Sequence, residues 1–469
     1  MNSVKRNFVY NMLYQILVFL LPLMTTPYLA RVLGADRTGI YSYAHSIAYY
    51  FVLFAMLGLN NYGNREIARS RDDINLRSKT FWSIYFLQIL TSITALVVYV
   101  AYCILVKSND LVSWILLLYV LSAGLDINWF FWGLEEFKIT VTRNTVIKLS
   151  SVASIFLFVK TSNDLGIYTF IMALGTFLSP LLLWPYLVKR VKWYKPSYTE
   201  VINHLKPNLI LFIPIIAISL YKVMDKIMLG KMATFTEVGF YEYSEKVIAI
   251  PIACVNALGT VMLPRMSNLV AKEQTNTELS IIEKSIIVGA GLAISMGFGL
   301  MSIAKDFVPL FYGPGYDKCV LLFYVLMPSC SFLAVANILR TQYLIPRKRD
   351  RDYIISVFLG AIVNLLVNAL LIPTLQSVGA AIGTLIAEAT VCVYQMFIVR
   401  KELPVRRYVR DTMYLLLSGI IMLSLVFVIP SFSSRIVSVT VKVAAGVLVF
   451  GTLFLLRYRE LAKSLIKRG

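Results

Sequence analysis

Long, nearly unbroken apolar runs recur along this chain. Each is about the roughly 20 residues that a helix needs to cross some 30 Å of hydrocarbon. Fourteen segments qualify: 7–30, 40–63, 81–106, 111–134, 141–159, 165–188, 208–230, 238–263, 281–304, 319–345, 353–373, 378–399, 412–430 and 436–456. The runs are continuous rather than alternating, which excludes the roughly 10-residue period-two strands of a membrane barrel. The pattern predicts an all-α integral membrane protein of about 14 transmembrane helices. Lys5 and Arg6 precede the first run, as in a secretory signal. That run is longer than the roughly 7–15 residues of a signal core and no small-residue cleavage site follows it, so it reads as a retained span.

Composition agrees with this reading. The chain is 58% hydrophobic and 15% charged, against about 45–50% and 25% in soluble domains. Its formal charge of +20 is explained by placement. The N-terminus, every second loop with its adjoining span ends, and the C-terminal tail hold 32 of the 45 lysines and arginines. The positive-inside rule then puts both termini in the cytoplasm and leaves no need for a nucleic-acid partner. The five cysteines lack CxxC spacing, and the two histidines lie in separate regions, so no metal site is expected. No GxxxxGK[ST] loop is present to hold nucleotide phosphates. The "DRD" at 350–352 reads as a solvated inner loop and "GAAIG" at 379–383 as helix packing. No folded extramembrane domain is expected, so no enzymatic role is either, and any function lies within or between the helices.

An internal echo divides the chain. "GIYSYA" at 39–44 opens the second span and "GFYEYS" at 239–244 opens the eighth, each after a span ending in Leu-Gly. "LGIYTF" at 165 and "VGAAIG" at 378 open spans six and twelve. An offset of six spans preserves orientation, as in transporters built from two parallel halves. The expected layout is an N-lobe of spans one to six (1–188), a cytoplasmic linker (189–207) and a C-lobe of spans seven to twelve (208–400). Spans thirteen and fourteen with a cytoplasmic tail follow (401–469), and the two lobes are expected to surround a central cavity. Prolines at 22, 27, 180, 185, 214, 251 and 328 are expected to bend spans.

Charges inside apolar runs are costly, so they mark candidate sites. In "SLYKVMDKIMLGK" (219–231), Lys222, Asp225 and Lys226 share one helical face. Asp225 is expected to offset one lysine, leaving a net positive face that lines a watery cavity and attracts an anion. Snorkelling is the alternative for Lys226. Glu388 in span twelve and Asp126 in span four are read either as proton or ion relays or as interhelical hydrogen-bond partners. Arg31 ends span one on the cavity side, and Arg340 reads as snorkelling. Tyr41, Tyr43, Tyr241 and Tyr243 are read either as interface anchors or as stacking surfaces for sugar rings, and Trp129 and Trp132 as interfacial belt residues.

With these residues in view, the chain resembles the Wzx-type polysaccharide repeat-unit flippases of the multidrug/oligosaccharidyl-lipid/polysaccharide exporter superfamily. The resemblance rests on "PYLARVLGADRTGIYSYA" (27–44), "GLNNYGNREIARSRDD" (58–73), "DINWFFWGLEEFK" (126–138) and "YKVMDKIMLGKMATFTEVGFYEYSEKV" (221–247). It implies a MATE-like fold in a bacterial cytoplasmic membrane and a non-enzymatic role. That role is alternating-access passage of an undecaprenyl-diphosphate-linked oligosaccharide to the outer leaflet for capsule or O-antigen. It also implies proton or sodium coupling without a bound cofactor, and neighbouring polymerase and glycosyltransferases. Under it, Lys222, Lys226 and Arg31 hold the diphosphate, and Asp225, Glu388 and Asp126 serve coupling. Two other readings remain: an ion-coupled exporter of small cationic molecules, and an integral membrane polymerase or glycosyltransferase.

Overall fold

The computed structural model describes residues 21–106 and 110–466, with side chains to 461. The start of the first expected span (7–20), with Lys5 and Arg6, lies outside the described residues. The chain forms two compact units, Met1–Ser219 and Leu220–Gly469. Both are helical, with no strand among the described residues.

The described part of the first unit starts with α1 (21–32), α2 (Gly34–Met56), α3 (Leu59–Ser70) and α4 (Ile74–Val106). Then follow α5 (Leu111–Ile115), α6 (Leu117–Leu125), α7 (Asn128–Gly133), α8 (Phe137–Phe158), α9 (Leu165–Leu181), α10 (Trp184–Leu187) and α11 (Tyr198–Asn203). The unit ends inside α12 (Leu205–Met232). The second unit holds the rest of α12, then α13 (Phe235–Ala271), α14 (Thr275–Phe311), α15 (Asp317–Leu326) and α16 (Ser329–Leu339). After a π-helical turn, Arg340–Leu344, come α17 (Asp350–Leu375), α18 (Ser377–Val399), α19 (Val405–Val428) and α20 (Arg435–Ile466).

Among the described residues, 11 helices are long and apolar enough to span a membrane, or 12 with the bent pair α15–α16. The protein is a multi-pass membrane protein, and the described residues do not confirm the expected count of 14. The first span is only partly described. α8 covers the expected fifth span, carries Lys138, Arg143 and Lys148, and is not among these helices. Proline positions account for two of the interruptions. Pro185 starts α10 after the chain leaves α9, and Pro328 sits in the 40° break between α15 and α16. The "DRD" acids lie in the first turn of α17, where carboxylates complement the helix dipole.

Two of the quoted motifs form the core of the first unit. Asp126 closes α6, and its Oδ1 accepts the backbone N–H of Asn128 at 2.9 Å and its side-chain amide at 2.6 Å, which starts α7. This fixes Trp129, whose indole N–H donates to Gln88 at 3.0 Å. A Cβ on Gly63 would lie 2.5 Å from the Trp129 ring, and one on Gly133 2.7 Å from Ile67. Paired glycines therefore let α3 and α7 touch, the small-residue packing that membrane helices use. Trp129 is fully buried against Phe81, so it is a core residue and not part of an interfacial belt.

In each unit the helices that carry the repeated motifs touch. Tyr41 of α2 meets Tyr168 of α9 edge-on at 4.8 Å, joining spans two and six. Tyr241 of α13 bonds Thr384 of α18 at 2.8 Å, joining spans eight and twelve. In the second unit α17 and α18 are appressed because Gly379 backs onto the Leu371 carbonyl, where a Cβ would sit at 2.6 Å. The last two helices belong to this unit: Gly419 of α19 fits against Ile294 and Phe298, and Lys442 of α20 pairs with Asp306 of α14 at 2.6 Å.

Candidate functional site: a charged chamber in the second unit

The run at 219–231 divides its charges between two environments. Asp225 is 1% exposed. Its Oδ2 accepts from the Tyr241 hydroxyl at 2.7 Å and from Thr384 at 2.9 Å, and its Oδ1 accepts from the Asn368 amide at 2.6 Å. One carboxylate thus ties α12 to α13, α17 and α18. Hydrogen bonds to a charged acceptor are stronger than neutral ones and offset part of the cost of placing the charge at depth. Gly383 makes room for this node, since a Cβ there would lie 2.0 Å from Asn368 Oδ1.

The pairing expected between Asp225 and a neighbouring lysine is not found. Lys226 reaches Glu242 at 2.6 Å and Glu245 at 2.7 Å instead, both on α13. Two acids surround it, so it adds no free positive charge to the face. The reason is geometric: α13 presents Glu242, Glu245 and Lys246 at the spacing with which α12 presents 222, 225 and 226. Lys222 remains exposed and, among the described residues, has no ion pair.

Lys222 lines a cavity of about 390 Å³ bounded by α12, α13, α16, the π turn, α17 and α18. Its other charged groups are Glu245, Lys246, Arg340 and Glu388. Arg340, read as snorkelling, lines this cavity. It opens the π turn, its guanidinium stands 5.5 Å from the centre of the Tyr353 ring, and one NH lies 3.4 Å from the Tyr353 hydroxyl. Glu388 is 7% exposed, has no hydrogen-bond partner among the described residues, and interacts electrostatically with Lys222 and Arg340. Three cations and two acids thus face one volume, with Glu245 engaged by Lys226 and Lys246 paired with Glu242 at 3.2 Å, which leaves Lys222 and Arg340 facing Glu388. The balance is positive. Polar groups continue along the wall, where Asn337 donates to Asn256 at 2.6 Å.

The other candidates lie elsewhere. Asp126 serves as the helix-start acceptor described above, and Arg31 is an exposed residue at the end of α1 in the first unit. Tyr43 and Tyr243 are buried, the latter among Tyr312 and Tyr316 at 5.3 and 5.4 Å, so protein covers the ring faces that a sugar would need. The Tyr41 ring packs on His45 and Tyr168. Tyr241 borders the chamber, but its hydroxyl is committed to Asp225 and Thr384. Reading each run alone missed Glu242, Glu245, Asn368, Asn364, whose Oδ1 accepts from the Asn368 amide at 3.2 Å, and the cavity role of Arg340. Asn364 and Asn368, one turn apart in the apolar run "AIVNLLVNALL", were a visible signal.

Comparison with known proteins bears on this arrangement. The family model described as "Polysaccharide biosynthesis protein" matches residues 4–270. A putative O-antigen transporter of Escherichia coli is 24% identical over 409 residues, covering 85% of this chain and 97% of its own length. The probable low-salt glycan biosynthesis flippase Agl15 of Haloferax volcanii is 23% identical over 340 residues, 70% of this chain and 69% of the relative. Among solved structures, the lipid II flippase MurJ in an inward closed conformation superposes with a TM-score of 0.80 at 15% identity, covering 97% of this chain and 99% of that one. An inward-facing multidrug resistance MATE family transporter of the MOP superfamily gives 0.61 at 11% identity, covering 83% and 96%. At these identities the structural likeness concerns the fold. With more than half of its length matched by the family model, the chain belongs to the polysaccharide biosynthesis protein family.

Proposed function

We propose that this protein is a flippase that moves a polyprenyl-diphosphate-linked oligosaccharide repeat unit from the inner to the outer leaflet of a bacterial cytoplasmic membrane. The observation that carries the proposal is the chamber among membrane-spanning helices where Lys222 and Arg340 face the single carboxylate of Glu388. A diphosphate is the fixed negative group of such a substrate. Cations in a confined polar volume attract it far more strongly than the same cations in bulk water. O-antigen transport and glycan flipping in the named relatives support the same substrate class. So does a fold resembling a lipid II flippase.

In this mechanism the chamber opens alternately to either side, and the sugar passes while its lipid stays in the bilayer. Lys222 and Arg340 bind the diphosphate. Glu388, facing both cations, competes with it, so a proton or monovalent cation that neutralises Glu388 favours substrate binding. Asp225 makes α12, α13, α17 and α18 respond together. Both termini lie in the cytoplasm by the distribution of lysine and arginine. Glycosyltransferases supply the substrate and a polymerase consumes it. The role is transport rather than catalysis.

The test is where repeat units collect. In a strain whose surface polysaccharide depends on this chain, its deletion leaves lipid-linked repeat units on the inner face. Single, unpolymerised units on the outer face would instead identify a polymerase. The buried carboxylate of Glu388, without a hydrogen-bond partner among the described residues, favours one rival, an ion-coupled exporter of small cations. Accumulation of a fluorescent cation in inverted vesicles, abolished by Glu388→Gln, would select that reading.

A further inference from the structure

Away from the chamber, a second cluster of charge gathers where α14, α19 and α20 meet. Glu283 and Lys284 of α14, Arg407, Arg410 and Asp411 of α19, and Arg457, Arg459 and Glu460 of α20 line a cavity of about 650 Å³. Five cations face three acids. Arg407 pairs with Glu283 at 2.6 Å and Arg457 with Asp411 at 3.2 Å. Among the described residues, Lys284, Arg410 and Arg459 have no ion pair and are exposed.

The cavity is shaped by a break in α20. Tyr458 leaves helical geometry (φ −115°, ψ 30°), and its hydroxyl lies 3.3 Å from Asp411 Oδ1. The neighbouring Arg457 guanidinium stands 4.6 Å from the centre of the Tyr414 ring. The bend is thus latched to α19, and the turn after it contributes Arg459 to the cavity. Immediately along the same helices, Met413, Leu417, Leu455 and Leu456 are exposed apolar residues of membrane-spanning segments. The cations therefore stand where a hydrocarbon-facing surface ends. These chain segments are also those that the positive-inside rule assigns to the cytoplasmic side.

We propose that this cavity binds the phosphate headgroup of an anionic phospholipid, with the acyl chains lying along the exposed faces of α19 and α20. Basic pockets between membrane helices at the cytoplasmic interface have this chemistry, each nearby cation contributing about fivefold in affinity. The uncommitted Lys284, Arg410 and Arg459 hold the phosphate, while the paired Arg407 and Arg457 keep the walls in place. The site is separate from the chamber and does not depend on the substrate assigned to it.

The test uses the purified full chain in neutral detergent, with phosphatidylglycerol or phosphatidylcholine added and adducts counted by native mass spectrometry. One phosphatidylglycerol is expected to be retained in preference to phosphatidylcholine. The Lys284→Gln/Arg410→Gln/Arg459→Gln variant should bind it roughly a hundredfold more weakly. The charge-conserving Lys284→Arg/Arg410→Lys/Arg459→Lys variant should retain it, which separates charge from folding. Equal binding of the two lipids, or undiminished binding by the glutamine variant, would overturn the proposal. Displacement of the lipid by millimolar inorganic phosphate as readily as by excess phosphatidylglycerol would also overturn it, by showing a free-anion site.

Discussion

Gly383→Ala adds one methyl group where the structure has no room for it. The new carbon would sit 2.0 Å from Asn368 Oδ1 and 3.0 Å from Asn368 Cγ. The Asn368 side chain must move, and it is fully buried and donates to Asp225 at 2.6 Å. Overpacking a filled interior costs typically 1–3 kcal/mol, and losing a hydrogen bond to a charged group about 1.5–3 kcal/mol. Alanine returns roughly 1 kcal/mol in helix propensity. The net loss is about 1.5–5 kcal/mol. At roughly 2–4 °C per kcal/mol for a unit of this size, the unfolding midpoint should fall on the order of 6–12 °C for a mid-range loss. The assay is thermal unfolding of the purified full chain in detergent, with Gly383→Ala, Asn368→Ala and the double variant compared. Asn368→Ala removes the obstructing atoms, so the methyl should cost little in that background and the two effects should be far from additive. A midpoint for Gly383→Ala within a degree of the parent, or strict additivity, would refute the coupling of Gly383, Asn368 and Asp225.

Three other outcomes follow from the same geometry. Lys442→Met leaves Asp306 buried without its partner and should cost about 3–5 kcal/mol, whereas Lys442→Met/Asp306→Leu should recover most of it; thermal midpoints of both variants check this. Gly63→Ala drives a methyl into an indole held by Gln88, and should lower the midpoint by an amount equivalent to about 1–3 kcal/mol. Trp129→Phe in the same chain should absorb part of that loss. Glu388→Gln should leave the protein folded and inserted while making transport less sensitive to the imposed ion gradient, measured as surface polysaccharide after collapse of that gradient.

Much of the architecture was legible because lipid imposes a strong, simple constraint. Apolar runs locate helices whatever their partners. The polar turn at 222–226 was legible for the same reason, since charge at that depth requires a partner or a cavity. Which partner was not. Asp225 bonds Asn368 and Thr384, more than 140 residues away, and Lys226 takes acids from α13. Those pairings depend on the rotation of each helix about its axis, which hydropathy does not fix. Trp129 shows the same gap: at a span end it has the look of an anchor, yet Gly63 and Gln88 on other helices draw it into the core. The turn at Leu57, with φ 47°, and the π turn at Arg340 are backbone departures that no apolar pattern marks.

The central claim is that the chamber's cations hold a diphosphate, and equilibrium binding tests it most directly. The purified full chain should bind a polyprenyl-diphosphate-linked oligosaccharide with an affinity that falls as salt rises. Lys222→Gln/Arg340→Gln should weaken it by at least tenfold, with little change in the unfolding midpoint. Affinity unchanged in that variant, or equal affinity for the same lipid lacking its diphosphate, would contradict the account.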